Sequence, residues 1–224
     1  MVTPWLATYA LVLPLGVVAG ALTTVAGIGG GLVITLVLAV AWEPHAALAV
    51  SAPALLMGNV HRLWLLRAEV DRTAALLLAG PALVGALAGG LVAAALPDAV
   101  LRWLLVVVTV LAVLRELGFT GLPGKRPWLV GGGLLVGITT ATSGAGGLLL
   151  GPLMLAAGLR GLPFIATGAV VGTTMHVAQS LAFGSTGLLG PQELPVALAL
   201  GVAILAGNVA GKRLRPRLGE RASH

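Results

Sequence analysis

Residues 1–42, 73–97 and 127–159 of this chain contain no charged side chain at all. A hydrocarbon core of roughly 30 Å is crossed by about 20 apolar residues in a helix. A soluble domain has one core to fill and does not repeat such runs along its length. The rest of the composition agrees, with 58% hydrophobic and 9% charged residues and a mean hydropathy of +1.05. These features predict an all-α polytopic membrane protein.

Several classes drop out early. The chain has no cysteine, so it offers neither disulfides nor thiolate metal sites. The first residues, Met1-Val-Thr-Pro-Trp5, lack the positive start of a signal peptide. The first apolar run is therefore read as a retained span. A net charge of +6 could suggest nucleic acid, but no basic–aromatic interleaving supports that partner. Lys and Arg collect in the cytoplasmic loops of membrane proteins, which explains the charge better. The run Lys212-Arg213-Leu-Arg215-Pro-Arg217 reads as an anchor near anionic headgroups.

Breaking the chain at charges, prolines and glycine clusters gives nine segments: 5–25, 32–42, 46–66, 73–96, 99–114, 128–141, 148–159, 163–183 and 194–210. About 8–9 of them are expected to enter or cross the bilayer. Alternate loops then divide the basic residues twelve to one, Arg62, Arg67, Arg72, Arg115, Lys125, Arg126, Arg160, Lys212, Arg213, Arg215, Arg217 and Arg221 against Arg102 alone. By the positive-inside rule the N-terminus lies outside and the C-terminus in the cytoplasm.

Two segments are too short to cross alone. Segments 32–42 and 148–159 extend about 17 Å at 1.5 Å per residue, and each follows a glycine cluster. Their surroundings also match. Thr23-Thr24 through Gly30-Gly31-Leu32 aligns on Thr139-Thr140 through Gly146-Gly147-Leu148 without gaps, at an offset of 116. Asn59 then falls opposite His176, and Gly85/Gly89 opposite Gly207/Gly211. We expect one membrane domain, 1–224, with repeat one over 1–97 and a connecting span and cytoplasmic loop over 98–127. Repeat two covers 128–213 and a basic cytoplasmic tail 214–224. The copies start an odd number of crossings apart, whether the short segments cross or re-enter, and so would be inverted. Inverted repeats with discontinuous helices mark secondary transporters that bind near the midplane.

Glycine clusters are costly in helices and explain themselves best as breaks. A helix starting after such a break presents free backbone N–H groups and the positive end of its dipole. Two such starts make an anion site. The candidate residues are Gly27, Gly29, Gly30 and Gly31 in the first break and Gly144, Gly146 and Gly147 in the second. The hydroxyls of Thr23, Thr24, Thr139, Thr140 and Ser143 are added as donors, although bonding to the i−4 carbonyl is the alternative for each threonine. The Gly-xxx-Gly pairs suit close helix packing and offer a face for a homo-oligomer.

All seven carboxylates fall at segment ends or in loops, and no metal-ligand cluster or cofactor motif is present. The exception to this polar poverty is Gly172–Ser180, "GTTMHVAQS", where Thr173, His176 and Gln179 form one helical stripe. An ionisable residue inside a span is a functional candidate; a histidine satisfied by a carbonyl is the plainer alternative. Asn59 would face it from the other repeat, with His61 beside Arg62 nearer the cytoplasmic end.

The motifs "AGIGGGLVIT", "ALAVSAPALL", "SGAGGLLLGPLML" and "FIATGAVVGTTMHVAQSLAFGSTGLL" together resemble the sulfite exporter TauE/SafE family over nearly the whole chain. The resemblance implies a bacterial inner-membrane transporter for sulfite, sulfonates or related sulfur anions. It also implies that the two glycine motifs, with Pro152, lie near the transport path. This sequence departs from the family pattern in having Leu36 where the second repeat has Pro152, and Ser143 and Ala145 in place of glycines.

The sequence thus leads to a non-enzymatic secondary transporter that exports a small inorganic or organic anion across a lipid bilayer. Uptake or channel-like passage of a similar anion, and a non-transporting membrane scaffold, are the alternatives.

Overall fold

The computed structural model describes residues 4–27, 29–114 and 126–221. Among them are nine α-helices, α1 (Pro4–Ala26), α2 (Gly30–Ala41), α3 (Pro44–Leu66), α4 (Arg72–Ala95), α5 (Asp98–Leu114), α6 (Arg126–Ser143), α7 (Gly146–Ala156), α8 (Gly161–Thr186) and α9 (Glu193–Arg221). Each expected segment falls on one helix. Residues 1–3, Ile28, 115–125 and 222–224 lie outside the described residues, including Arg115 and Lys125 of the expected basic loop. Helix α9 runs on to Arg221, through residues read from the sequence as a separate tail.

The helix ends follow local chemistry. Pro44 opens α3, where its missing N–H costs nothing. Asp71 caps α4 by accepting from the Ala74 N–H at 2.9 Å. The Asp71 N–H in turn donates to Thr167 Oγ1 on α8 at 3.0 Å. Gly187, at φ 81°, ends α8 in the left-handed conformation. His45 links three helices, with Nδ1 2.6 Å from Asp98 Oδ1 and Nε2 3.0 Å from the Ala93 carbonyl.

Helices α1, α4, α8 and α9 are long and apolar enough to cross a bilayer. Helix α3 matches them in length at 23 residues but carries Asn59, His61 and Arg62. The outward surface is apolar, with Val40, Leu76, Trp103, Leu181 and Val202 all exposed. The chain is a polytopic helical membrane protein.

The packing exchanges one half for the other. Helix α1 packs on α9 as α6 packs on α4, and α3 packs on α9 as α8 packs on α4. Helices α3 and α8 pack on each other, and so do the short helices α2 and α7. The exchange holds atom by atom: Gly20 lies against the Ile204 carbonyl and Gly137 against the Ala82 carbonyl.

This packing settles the small-residue faces. Added methyls at Gly85 and Gly89 would strike the α6 backbone at Leu134 and Ile138, and at Gly207 and Gly211 the α1 backbone at Val17 and Ala21. The Gly-xxx-Gly faces expected to join two copies are therefore filled within one chain. Small residues let helix backbones approach closely wherever dispersion is the main glue, inside a chain as well as between chains.

Candidate functional site

Both helix breaks are built alike. The Thr23 carbonyl accepts from the Gly27 N–H at 2.8 Å, and the Thr140 carbonyl accepts from the Gly144 N–H at 2.9 Å. Gly27 and Gly144 then turn the chain at φ 85° and 69°, where a side chain would be strained. Gly29 and Ala145 precede the first residues of α2 and α7, and no side chain caps either start. The free N–H groups there carry the positive ends of two helix dipoles.

The matching residues correct the expected alignment. Gly30 would place a methyl on Thr23 Oγ1 and the Ala19 carbonyl, and Gly146 would place one on Thr140 Oγ1 and the Val136 carbonyl. Thr23 therefore corresponds to Thr140, at an offset of 117, rather than to Thr139. The first break holds one more residue than the second, which takes up the difference by the start of α7.

A cavity of about 70 Å³ lies where the two breaks meet α3 and α8. Thr23, Gly27, Gly29, Gly31, Thr140, Gly144 and Gly147 line it from the breaks, and Asn59, Arg62 and His176 from the long helices. Gly172 makes room for Asn59, whose amide stands 2.8 Å from where a Gly172 Cβ would be.

Arg62 is the residue that sequence reasoning placed in a loop. It lies inside α3, is only 7% exposed, and lines this cavity. Its Nη2 donates to Asn59 Oδ1, while Nε and Nη1 have no partner in the protein. Among the described residues the only other buried side-chain polar atoms without partners are Thr109 Oγ1 and Ser180 Oγ. An unpaired buried guanidinium is costly unless a ligand completes it.

The sulfite exporter TauE/SafE family model matches residues 12–223. The chain belongs to this family. No curated protein and no solved structure matches it. In this TauE/SafE member, both glycine breaks and the buried arginine fall inside the matched region, and the family is one of membrane transporters named for sulfite.

The remaining candidates stand off the cavity. Thr24 Oγ1 donates to Asn208 Oδ1 at 2.9 Å, and Asn208 Nδ2 donates to the Gly58 carbonyl at 2.9 Å, so this pair ties α1, α9 and α3 together. Gly30 and Gly146 are packing positions behind the breaks. Thr139, Ser143 and Thr173 give their hydroxyl hydrogens to the carbonyls of Leu135, Thr139 and Ala169. Gln179 is buried behind His176 and accepts from its Nδ1 at 3.0 Å.

The hydroxyls that do reach the cavity are committed as well. Thr23 and Thr140 each donate to the carbonyl four residues back at 2.7 Å. Of the two readings open for these threonines, the geometry shows bonding to the i−4 carbonyl, which leaves neither hydroxyl hydrogen free for a ligand. Donors come instead from Arg62, Asn59 and the backbone of the two breaks. No group of three or more His, Asp or Glu side chains gathers among the described residues.

Two signals in the sequence point to Arg62 in retrospect. It follows Asn59 by three residues, one helical turn, and at the corrected offset of 117 it falls opposite Gln179, as Asn59 falls opposite His176.

Proposed function

We propose that this TauE/SafE member is a secondary transporter that binds a small sulfur oxyanion between the starts of α2 and α7 and exports it. The observation carrying this reading is Arg62, a buried guanidinium with unpartnered Nε and Nη1 beside two uncapped helix starts. Each part favours an anion independently. The guanidinium supplies a fixed charge and directional donors, and the helix starts supply backbone N–H groups and dipoles. Gly29 and Gly147 keep the backbone bare, since an added Cβ there meets nothing closer than 3.9 Å, and Asn59 holds Arg62 in place.

In this reading residues 1–97 and 128–213 are inverted copies, joined by α5 and the stretch after it. The N-terminus lies outside a bacterial inner membrane and the C-terminus in the cytoplasm. Export of one negative charge gains about 2.3 kcal/mol per 100 mV of inside-negative potential, which can drive the step without a coupled ion. No chemistry on the substrate is required, so the chain is not an enzyme.

The test is anion flux from liposomes containing the purified protein. Wild type should release preloaded sulfite under an inward-negative potential, and Arg62→Ala should reduce that flux at least a hundredfold while remaining monodisperse in detergent. Equal flux from the two proteins would reject the site.

A further inference from the structure

The cavity offers more than an attraction for negative charge, because its acceptors are as well placed as its donors. Thr23 and Thr140 are among its lining residues, with their hydroxyl hydrogens already committed to the carbonyls of Ala19 and Val136, and Thr140 Oγ1 also lies 3.3 Å from Met175 Sδ. His176 also lines it, and its Nδ1 donates to Gln179 Oε1, so the neutral ring keeps Nε2 as an acceptor. A fully ionised oxyanion has no hydrogen for any of these three atoms. Setting its oxygens against their lone pairs would leave polar groups buried and opposed.

Charge gives the same answer. Arg62 is the one charged side chain among the lining residues, and no carboxylate joins it. One fixed positive charge in a low-dielectric site balances one negative charge and leaves a second unbalanced.

We infer that the anion taken by this site is the singly charged, protonated form of an oxyacid. For sulfite this is hydrogensulfite, bound through ionised oxygens to Arg62 and the helix starts and through its O–H to a threonine or histidine acceptor. This rests on the sulfur-oxyanion reading above and adds the charge state and hydrogen count of the substrate. Thr23, Thr140 and His176 then share the role of selecting for an O–H group.

The titratable groups near the cavity are few. His176 on α8 lines it with Arg62, and His61 on α3 lies close to Arg62 and Lys212. The lining residues of α1, α2, α6 and α7 carry no titratable side chain. A pH effect on binding therefore arises from the ligand, from His176 or from His61, and substitutions separate these sources.

The experiment measures calorimetric binding of sulfite, sulfate and methanesulfonate to the purified full-length protein from mildly acidic to mildly alkaline pH. Methanesulfonate is a monoanion without an O–H, and sulfate is a dianion throughout the range. We expect apparent sulfite affinity to fall about tenfold per pH unit once the ligand loses its proton, in wild type, His176→Gln and His61→Gln alike. Methanesulfonate should bind more weakly with no such slope, and sulfate more weakly still. At least one of Thr23→Val, Thr140→Val and His176→Phe should weaken sulfite about ten- to hundredfold while changing methanesulfonate much less. Sulfite binding without a pH slope, a slope lost in either histidine variant, or sulfate binding as tightly as sulfite would overturn the inference while leaving the sulfur-oxyanion reading intact. Absence of binding by all three anions would overturn both.

Discussion

Arg62 on α3 and Gln179 on α8 occupy equivalent positions in the two halves, each bonded to the residue three places before it, Asn59 in one case and His176 in the other. The same local pair is thus charged in one half and neutral in the other. Of Arg62 and Gln179, only Arg62 lines the cavity.

That asymmetry predicts opposite effects on stability and binding. Two donor atoms of Arg62 are buried without partners, and each such group costs about 1–3 kcal/mol. Arg62→Leu should therefore raise the melting temperature of the ligand-free protein, less what Asn59 loses, and abolish stabilisation by sulfite. Scanning fluorimetry with and without the anion reads both, and a lower melting temperature for Arg62→Leu would show that the guanidinium is satisfied in the empty protein.

The glycines should separate into two kinds. An added methyl at Gly30 meets Thr23 Oγ1 and the Ala19 carbonyl, so Gly30→Ala should fail to accumulate as folded protein. Gly147 has nothing within 4 Å of an added Cβ. Gly147→Ala should stabilise α7 by up to about 1 kcal/mol while weakening anion binding, since Gly147 lines the cavity. Unchanged affinity in that variant would remove the start of α7 from the site.

Thr24 is expected to matter only for stability. Its bond to Asn208 joins α1 to α9, and such interhelical bonds in membranes contribute about 0.6 kcal/mol on average, up to about 1.7. Thr24→Val should lower stability by that amount and leave sulfite affinity unchanged. A loss of affinity without a loss of stability would place Thr24 in the site after all.

Orientation can be read by labelling, because the chain has no cysteine of its own. Gln192→Cys, between α8 and α9, should react with an impermeant maleimide on intact cells. Ala68→Cys, exposed in the short turn before α4, should react only after permeabilisation. The reverse pattern would invert the membrane topology.

How much of this was legible follows from what kind of signal each feature leaves. The helices were readable because bilayer thickness imposes length and apolarity on every span, and the short α2 and α7 stood out against that rule. The glycine breaks were readable because each cluster is followed by a segment too short to span; adjacent glycines alone do not break a helix, since Gly131 to Gly133 run inside α6. Arg62 was not, because a charge near the end of an apolar run looks the same whether it snorkels to the headgroups or turns inward. Only the fold, by placing α3 against α8, decides between the two. The hydroxyl hydrogens of Thr23 and Thr140 were equally hidden, since their direction depends on helix geometry that composition does not encode. The pairing of Thr23 with Thr139 was one residue off because a gapless alignment cannot see that the two breaks differ in length.

That difference in length has its own consequence. Between α1 and α2 stand three residues, 27–29, and between α6 and α7 stand two, 144 and 145. In a carrier whose halves exchange roles, swapping them converts the inward-open shape into the outward-open one, and identical halves would make the two shapes isoenergetic. Here one hinge is longer and the other tighter, and a guanidinium on one side answers a carboxamide on the other. Under the transport cycle proposed above, the idle carrier is therefore expected to be biased toward one open mouth, so that the preferred waiting side is written into the covalent chain before any substrate arrives.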